Sequence, residues 1–380
     1  MRLCARVWTV FVAAAAWAAD WNGAVALFKK GDYAGALKAF QAVLQENPNY
    51  PGAYFYVGMC FEKLSDADKA LVNYQKANQL EPANPTFAYA LSRLLVDKGK
   101  GAEAVRVLQA VPTASFQGEQ KATFFSALAR AQLLAGDAAG AAEAAKTATQ
   151  ANPSLAAAWS SLGKAHSLLG KDREAFAAYR RAFEISGDPQ MAVVAARSAM
   201  NAARLSQKEE ANNLYAQAAA VAVKGFEKKA SSELALLAAE AYLGADRYDY
   251  SLSWLDKVGS NSALVTYYRA TNEQKKGNTA KAEKLFREAL GKEPDPHLRR
   301  LIYSSLGYVL DLQKRYKEAE QAYREAGNPA KATEMRDKQA KYEQNLKADE
   351  EARRIEELRR TQEELKKLRG GAATTPTPNP

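Results

Sequence analysis

Two cysteines and two histidines are spread over 380 residues, and that scarcity removes several functions at once. A zinc site needs a set of Cys and His ligands at suitable spacing, which Cys4, Cys60, His166 and His297 do not supply. No disulfide framework can be built from such a set either, and a large helical core does not need one. No glycine-rich phosphate loop and no G-x-S-x-G elbow occurs. No catalytic residue, metal ligand or cofactor site is therefore assigned, and an enzyme is not expected. Long apolar runs are also missing: the most prominent, Val7 to Ala16, falls short of the roughly 20 residues a membrane helix needs. No segment alternates apolar and polar residues as a strand does, so the chain is expected to be helical.

That short run has a recognisable setting. Arg2 and Arg6 precede it and Ala16-Trp17-Ala18 follows it, the order of a secretory signal peptide. Residues 1–18 are read as that signal, and the mature chain as exported to a bacterial periplasm or envelope with no transmembrane span. An uncleaved signal anchor is the alternative. Cys4 lies ahead of the run and is not placed like a lipoprotein acylation cysteine. Cleavage leaves Cys60 as the lone cysteine, either a small buried apolar residue or a reactive thiol.

Where cysteine and histidine are sparse, alanine, glycine and tyrosine recur with a period. Tyr54 to Pro82 and Trp159 to Gly187 carry the same frame: Gly58 and Gly163, then Ala70 and Ala175, Tyr74 and Tyr179, Ala77 and Ala182. A third copy holds Gly307, Ala319, Tyr323 and Ala326. Anchors on the second helix of each unit run Ala36/Phe40, Ala70/Tyr74, Ala104/Leu108, Ala141/Ala145, Ala175/Tyr179, Ala211/Tyr215, Ser251/Leu255, Ala282/Phe286 and Ala319/Tyr323, spaced 31 to 40 residues apart. Pro48, Pro82, Pro153 and Pro294 follow second helices, where a proline breaks no internal bond. Gly31, Gly99, Gly136, Gly170 and Gly277 fall in the turns between helices, which need left-handed backbone angles. The glycines at 58, 163 and 307 are expected where the two helices of a unit approach closely.

This frame resembles the tetratricopeptide repeat, W-x2-L-G-x2-Y…A-x3-F…A…P over two antiparallel helices. The resemblance covers residues 20 to 328 and implies an all-α, right-handed superhelix, an α-solenoid of about nine helix-turn-helix repeats. The sixth and seventh repeats lack the glycine and the terminal proline. The resulting plan is a repeat array over 19–328, a capping and charged helix over 329–369, and a disordered tail over 370–380.

The resemblance also implies a binding surface, since positions two, five, nine and twelve of each first helix line the concave groove of the family. Position five gives Trp21, Phe55, Tyr89, Ser126 and Ser160, and position nine gives Val25, Met59, Arg93, Arg130 and Lys164. The groove should begin aromatic and apolar, at Trp21, Phe55, Met59 and Tyr89, and continue as a basic ladder of Arg93, Arg130 and Lys164. An extended, acidic peptide or partner protein with an apolar anchor would suit it. In the other reading, Trp21 and Phe55 cover the N-terminal end and the three cations are ordinary solvated charges. The family's carboxylate clamp is absent, because Trp21 and Val25 stand where Lys and Asn are required.

Net charge is +10, and the excess is uneven. Residues 261–328 hold thirteen Lys and Arg against nine Asp and Glu, whereas 20–260 hold 26 against 24. Arg299, Arg300, Lys314, Arg315 and Lys317 gather in the ninth repeat, either as a solvated face or as a site for an anionic envelope polymer. Nucleic acid is not expected, for no module of aromatic and basic residues is present. After Pro329, Ala332, Met335, Tyr342 and Leu346 are spaced to cover the last repeat. Blocks from Glu350 to Lys367 then place acid before base at four-residue spacing in Glu350/Arg354, Glu356/Arg360 and Glu363/Lys367. Ile355, Leu358, Gln362 and Leu365 span barely two heptads, so a projecting helix competes with self-association or partner docking. The expected function is a scaffold assembling a cell-envelope complex, with the polymer binder as its alternative.

Overall fold

The structure, a computed structural model, describes residues 21–371. The signal expected at 1–18 lies outside these residues, as do residues 372–380 of the expected tail; its first two residues, Gly370 and Gly371, instead end the last helix. Every described element is a helix, and among the described residues there is no strand. Helix α1 (residues 21–29) is followed by α2 (Tyr33–Glu46), α3 (Pro51–Lys63), α4 (Ala67–Leu80), α5 (Pro85–Asp97), α6 (Gly101–Gln109), α7 (Gly118–Leu134), α8 (Ala138–Ala151), α9 (Ala156–Leu168) and α10 (Asp172–Ser186). Then come α11 (Pro189–Arg204), α12 (Lys208–Lys228), α13 (Ser232–Gly244), α14 (Tyr248–Asp256), α15 (Ala263–Lys275), α16 (Thr279–Leu290), α17 (Pro296–Leu312), α18 (Tyr316–Glu325) and α19 (Pro329–Gly371). The chain divides within α13 into two compact units, one ending at Ala241 and one beginning at Tyr242.

Short-range chemistry sets the helix ends. Asp32, Asp66 and Asp137 accept hydrogen bonds from the backbone N–H groups of Gly35, Lys69 and Gly140, capping α2, α4 and α8. Asn84, Asp188 and Asp295 cap α5, α11 and α17, each just ahead of a proline in the first turn. Between paired helices the backbone turns left-handed at Gly31, Gly99, Gly136, Gly170 and Gly277. Ser65, Asp246 and Lys314 hold the corresponding turns with φ of 64°, 58° and 61°, a conformation that costs a side-chain-bearing residue about 1 kcal/mol.

In the first unit the core follows the repeat. Ala36, Phe40, Ala70, Tyr74, Ala104, Leu108, Ala141, Ala145, Ala175 and Tyr179 are all buried. The space a side chain would need at Gly58 and Gly163 is filled by the rings of Tyr74 and Tyr179, each 2.7 Å from a hypothetical Cβ. The tyrosine ring, more than the opposing alanine, is what these glycines admit. The sixth repeat departs from its expected register. Ala211 and Tyr215 are only half-buried against the core of Ala202, Ala203 and Leu214. The buried face of the 21-residue α12 continues through Ala218, Ala222 and Gly225. Gly225 takes over the close approach, with Ala192 Cβ of α11 2.5 Å from the point a Cβ would occupy. The glycine has moved to the second helix, so the motif cannot be read in its usual order.

In the second unit Ser251, Leu255, Ala282, Phe286, Ala319 and Tyr323 are buried as the repeat requires. The first turns of α19 close this core with Ala332 and Met335, and Tyr342 packs edge-on to Tyr316 at 5.8 Å. Leu346 is exposed, so coverage ends sooner than its spacing suggests. Ion pairs from Arg336 to Glu320, Lys338 to Asp311 and Lys317 to Glu343 fix this stretch. Beyond Glu343 every described side chain is exposed, and 344–371 is helix for about 42 Å.

Candidate functional site

A cleft of about 590 Å³ opens on the first helices of the third, fourth and fifth repeats. Tyr89, Ser92, Arg93 and Val96 of α5 form one wall, and Thr123, Ser126, Ala127 and Arg130 of α7 the other, with Leu155 and Ala157 closing one end. Spacings of three and four put these residues on a single face of each helix. The rest of α5 turns Ala88, Leu91 and Leu95 into the core. A second cleft of about 720 Å³ adjoins the first through Tyr89 and Thr123 and is lined further by Pro85, Thr86, Phe116, Gln120 and Phe124, with the Glu119 carboxylate on its lining. Phe116 and Phe124 meet edge to face at 5.1 Å and floor it. An apolar hollow thus lies beside one lined by hydroxyls and two guanidinium groups.

The guanidinium groups come with carboxylates. Arg93 donates to Glu62, which also accepts from Tyr74 Oη at 2.9 Å. Asp97 lies 3.9 Å from Arg93 and accepts from Arg130 Nη2 at 3.2 Å. Burial pushes the Glu62 carboxyl up, but the bonds from Arg93 and Tyr74 outweigh it and hold the pKa below the usual range. Burial likewise pulls Arg93 down and its bond to Glu62 more than restores it. The expected basic ladder is therefore an alternating row, Glu62, Arg93, Asp97, Arg130. Arg130 is its most available cation, with 59% of its side chain exposed.

Of the seven groove residues named from the sequence, the structure brings Tyr89, Arg93 and Arg130 together in one cleft. Trp21 instead stacks edge-on against Phe40, Tyr50 and Tyr56 at 5.0–5.3 Å. Phe55 lies between Tyr74 and Phe87 at 5.5 and 5.1 Å, and Met59 is half-buried against the same core. These three are packed between repeats. Lys164 is exposed on α9, outside the cleft lining. Phe116 was missed. It sits between α6 and α7, where the anchor spacing stretches from 34 to 37 residues, and that insertion was the available signal.

The five cations of the ninth repeat are not one patch. Arg299 and Arg300 lie in the first turns of α17, and Lys314, Arg315 and Lys317 follow its far end, about 22 Å along the axis at 1.5 Å per residue. Arg315 is occupied: it donates to both oxygens of Glu283 at 2.8 and 2.9 Å and to both of Glu318 at 2.8 and 2.6 Å. Lys317 pairs with Glu343 at 3.1 Å. Burial raises the Cys60 thiol to about 11 and pulls the His166 imidazole below its usual range, which suits packed rather than reactive groups. Among the described residues no three His, Cys, Asp or Glu side chains are grouped to hold a metal ion.

Sequence profiles described as tetratricopeptide repeat match residues 22–85, 126–189 and 267–332, and a further one matches 61–123. The chain belongs to the tetratricopeptide repeat family. The matches skip 190–266, where the sixth and seventh repeats lose their glycine and proline. The family is one of protein-interaction scaffolds. No curated protein matches the chain. Among solved structures, it is similar to MamA of Desulfovibrio magneticus RS-1, with 19% identity over 44% of this chain and 94% of that one, at a TM-score of 0.40. It is also similar to the C-terminal part of a repeat protein from Cytophaga hutchinsonii (16%, covering 72% and 95%, TM-score 0.46). A third is PilW, described as a widely conserved type IV pilus biogenesis factor (15%, covering 54% and 92%, TM-score 0.41). Among the described residues no helix of this chain is long and apolar enough to cross a membrane.

Proposed function

We propose that the chain is an exported scaffold whose paired clefts on α5 and α7 hold an extended, acidic segment of a partner protein during assembly of a cell-envelope complex. One observation carries the binding mode. An apolar hollow over Phe116 and Phe124 shares Tyr89 and Thr123 with a hollow bearing Arg93 and Arg130. An aromatic or aliphatic anchor fits the first, and a carboxylate placed downstream displaces Asp97 from Arg130 in the second. Export rests on Arg2, Arg6 and the run from Val7 to Ala16. A mature N-terminus at Ala19, read by mass spectrometry on protein from the producing cell, is its check. The polymer reading gains no such observation, since Arg299 and Arg300 stand apart from an Arg315 already held by two carboxylates.

The test uses fluorescent ten-residue peptides with a Phe anchor followed by Asp-Asp or by Asn-Asn, titrated against the chain from Ala19. The acidic peptide should bind about tenfold tighter, the scale of one charge-assisted hydrogen bond. Arg130→Gln should erase the difference, while Asp97→Asn, which releases Arg130, should tighten the acidic peptide several-fold. Equal binding of both peptides, or indifference to Arg130→Gln, sinks the reading.

A further inference from the structure

We infer that the projecting part of α19 is a docking helix for an acidic amphipathic helix of another protein, and that it does not pair with a second copy of itself. Ile355, Leu358 and Leu365 are 49%, 58% and 49% exposed. At spacings of three and seven they lie on one face, with Gln362 between them, as the a and d positions of two heptads. Nothing in the solenoid covers that face, since every described side chain beyond Glu343 is exposed.

The charges beside this stripe choose the partner. The flanking e and g positions hold Arg359, Lys366, Arg354 and Thr361, while Glu356, Glu357, Glu363 and Glu364 occupy b and c, away from the seam. In a parallel pair of copies Arg354 would face Arg359 of the second copy. In an antiparallel pair Arg359 and Lys366 would face each other's equivalents. Neither orientation brings opposite charges together, and like charges at these positions oppose pairing. An anionic membrane is disfavoured too, because Glu350 to Lys367 carries six acidic and six basic residues and so has no net charge for the surface potential to attract. A partner helix with an apolar stripe edged by Asp or Glu meets all three flanking cations. Those cations are available: among the described residues Arg354, Arg359 and Lys366 have no ion pair, whereas Arg360, on the rear of the helix, pairs with Glu356 at 3.5 Å. Gln362 at a core position would set the register by requiring a polar residue opposite.

The experiment titrates the full chain from Ala19 with two labelled four-heptad synthetic helices, read by fluorescence anisotropy. Both have Leu at a and d with a single Asn at one a position; one has Glu at every e and g, the other Lys. The Glu helix should bind about tenfold tighter, the factor that three flanking pairs of ordinary surface strength supply together. Arg354→Glu/Arg359→Glu/Lys366→Glu should invert the preference, and Leu358→Asp should abolish binding of either helix. These side chains touch no part of the solenoid, so its circular dichroism should be unchanged. Three results would overturn the inference. They are equal or no binding of the two helices, a dimer in sedimentation that Leu358→Asp dissolves, and co-flotation with phosphatidylglycerol vesicles that Leu358→Asp prevents.

Discussion

The junction between α6 and α7 in the first unit and that between α16 and α18 in the second solve the same stacking problem by different physics. At the first, the point a Cβ would occupy on Gly101 lies 2.6 Å from Ala135 N and 2.8 Å from the Leu134 carbonyl carbon. Backbone meets backbone with no charge involved. At the second, the nearly buried Glu283 is gripped by Arg315 and Arg287, and Arg315 also grips Glu318. A glycine contact admits no added atom but ignores pH and salt; an ion clasp is sensitive to both. The clasp also takes Arg315 out of the basic run of the second unit, while Arg130 of the first unit keeps a largely exposed guanidinium.

Four substitutions, two in each unit, would sharpen this comparison. The largest effect should come from Gly101→Ala, which forces a methyl group onto fixed backbone. About 3 kcal/mol of stability should be lost, the upper range for overpacking. Gly307→Ala in the second unit meets the Tyr323 ring at 3.0 Å, where a side chain can yield, and should cost about 1 kcal/mol. Urea unfolding of the two variants measures both, and equal losses would remove the distinction. Next, Glu283→Gln leaves two guanidinium groups facing a neutral amide and should cost about 2 kcal/mol. Glu62→Gln, at the more exposed and better screened pair, should cost less than about 1 kcal/mol. Trp254 is the one tryptophan after Ala241, and Trp21 and Trp159 precede it, so fluorescence reads the units separately.

Acid should separate them as well. The Lys281 bond holds Glu273 low, and the Arg315 bond holds Glu318 low. For Glu283, burial pushes the pKa up but the bonds to Arg315, Gln313 and Arg287 win. Each carboxylate has a folded pKa below its unfolded value, so the unfolded chain binds more protons as pH falls. Their contribution is complete above the ordinary Glu value of about 4.5 and is lost as pH drops through the lower folded values. Among the described residues of the first unit the depressed carboxylates are two, Glu62 beside Arg93 and Tyr74 and the exposed Asp66 beside Lys69. Trp254 should therefore report unfolding at a higher pH than Trp159; coincident transitions would contradict the comparison.

The sequence made the repeats legible because their packing is local. Gly58 and Tyr74 lie sixteen residues apart, and their contact returns at Gly163 and Gly307 with the same spacing. It made the charges illegible because their partners lie one repeat away: Arg315 reaches back 32 residues to Glu283, and Arg93 reaches 31 to Glu62. A run of basic residues shows where charge is written, not what it faces. Trp21 and Phe55 were correctly placed on first helices, but side-chain length lets them fold back onto Tyr56 and Tyr74. Tyr89 is exposed and lines both clefts together with Thr123.

The smallest expected effect is a gain, and it tests the turn that Lys314 occupies. Lys314 and Ser65 sit at φ of 61° and 64°, where five of the other repeats place glycine, and both are exposed. Replacing either with glycine relieves left-handed strain of about 1 kcal/mol, against which stands the greater freedom glycine gives the unfolded chain, about 0.5–1 kcal/mol. The balance should be a stabilisation of a few tenths of a kcal/mol, read as a higher urea midpoint from Trp254 for Lys314→Gly and from Trp21 and Trp159 for Ser65→Gly. A side chain that only fills a turn gives that small gain at both positions. If Lys314→Gly lowered stability while Ser65→Gly raised it, the Lys314 ammonium would have a task beyond the turn, and a cationic role for the ninth repeat would return on evidence rather than on a run of letters.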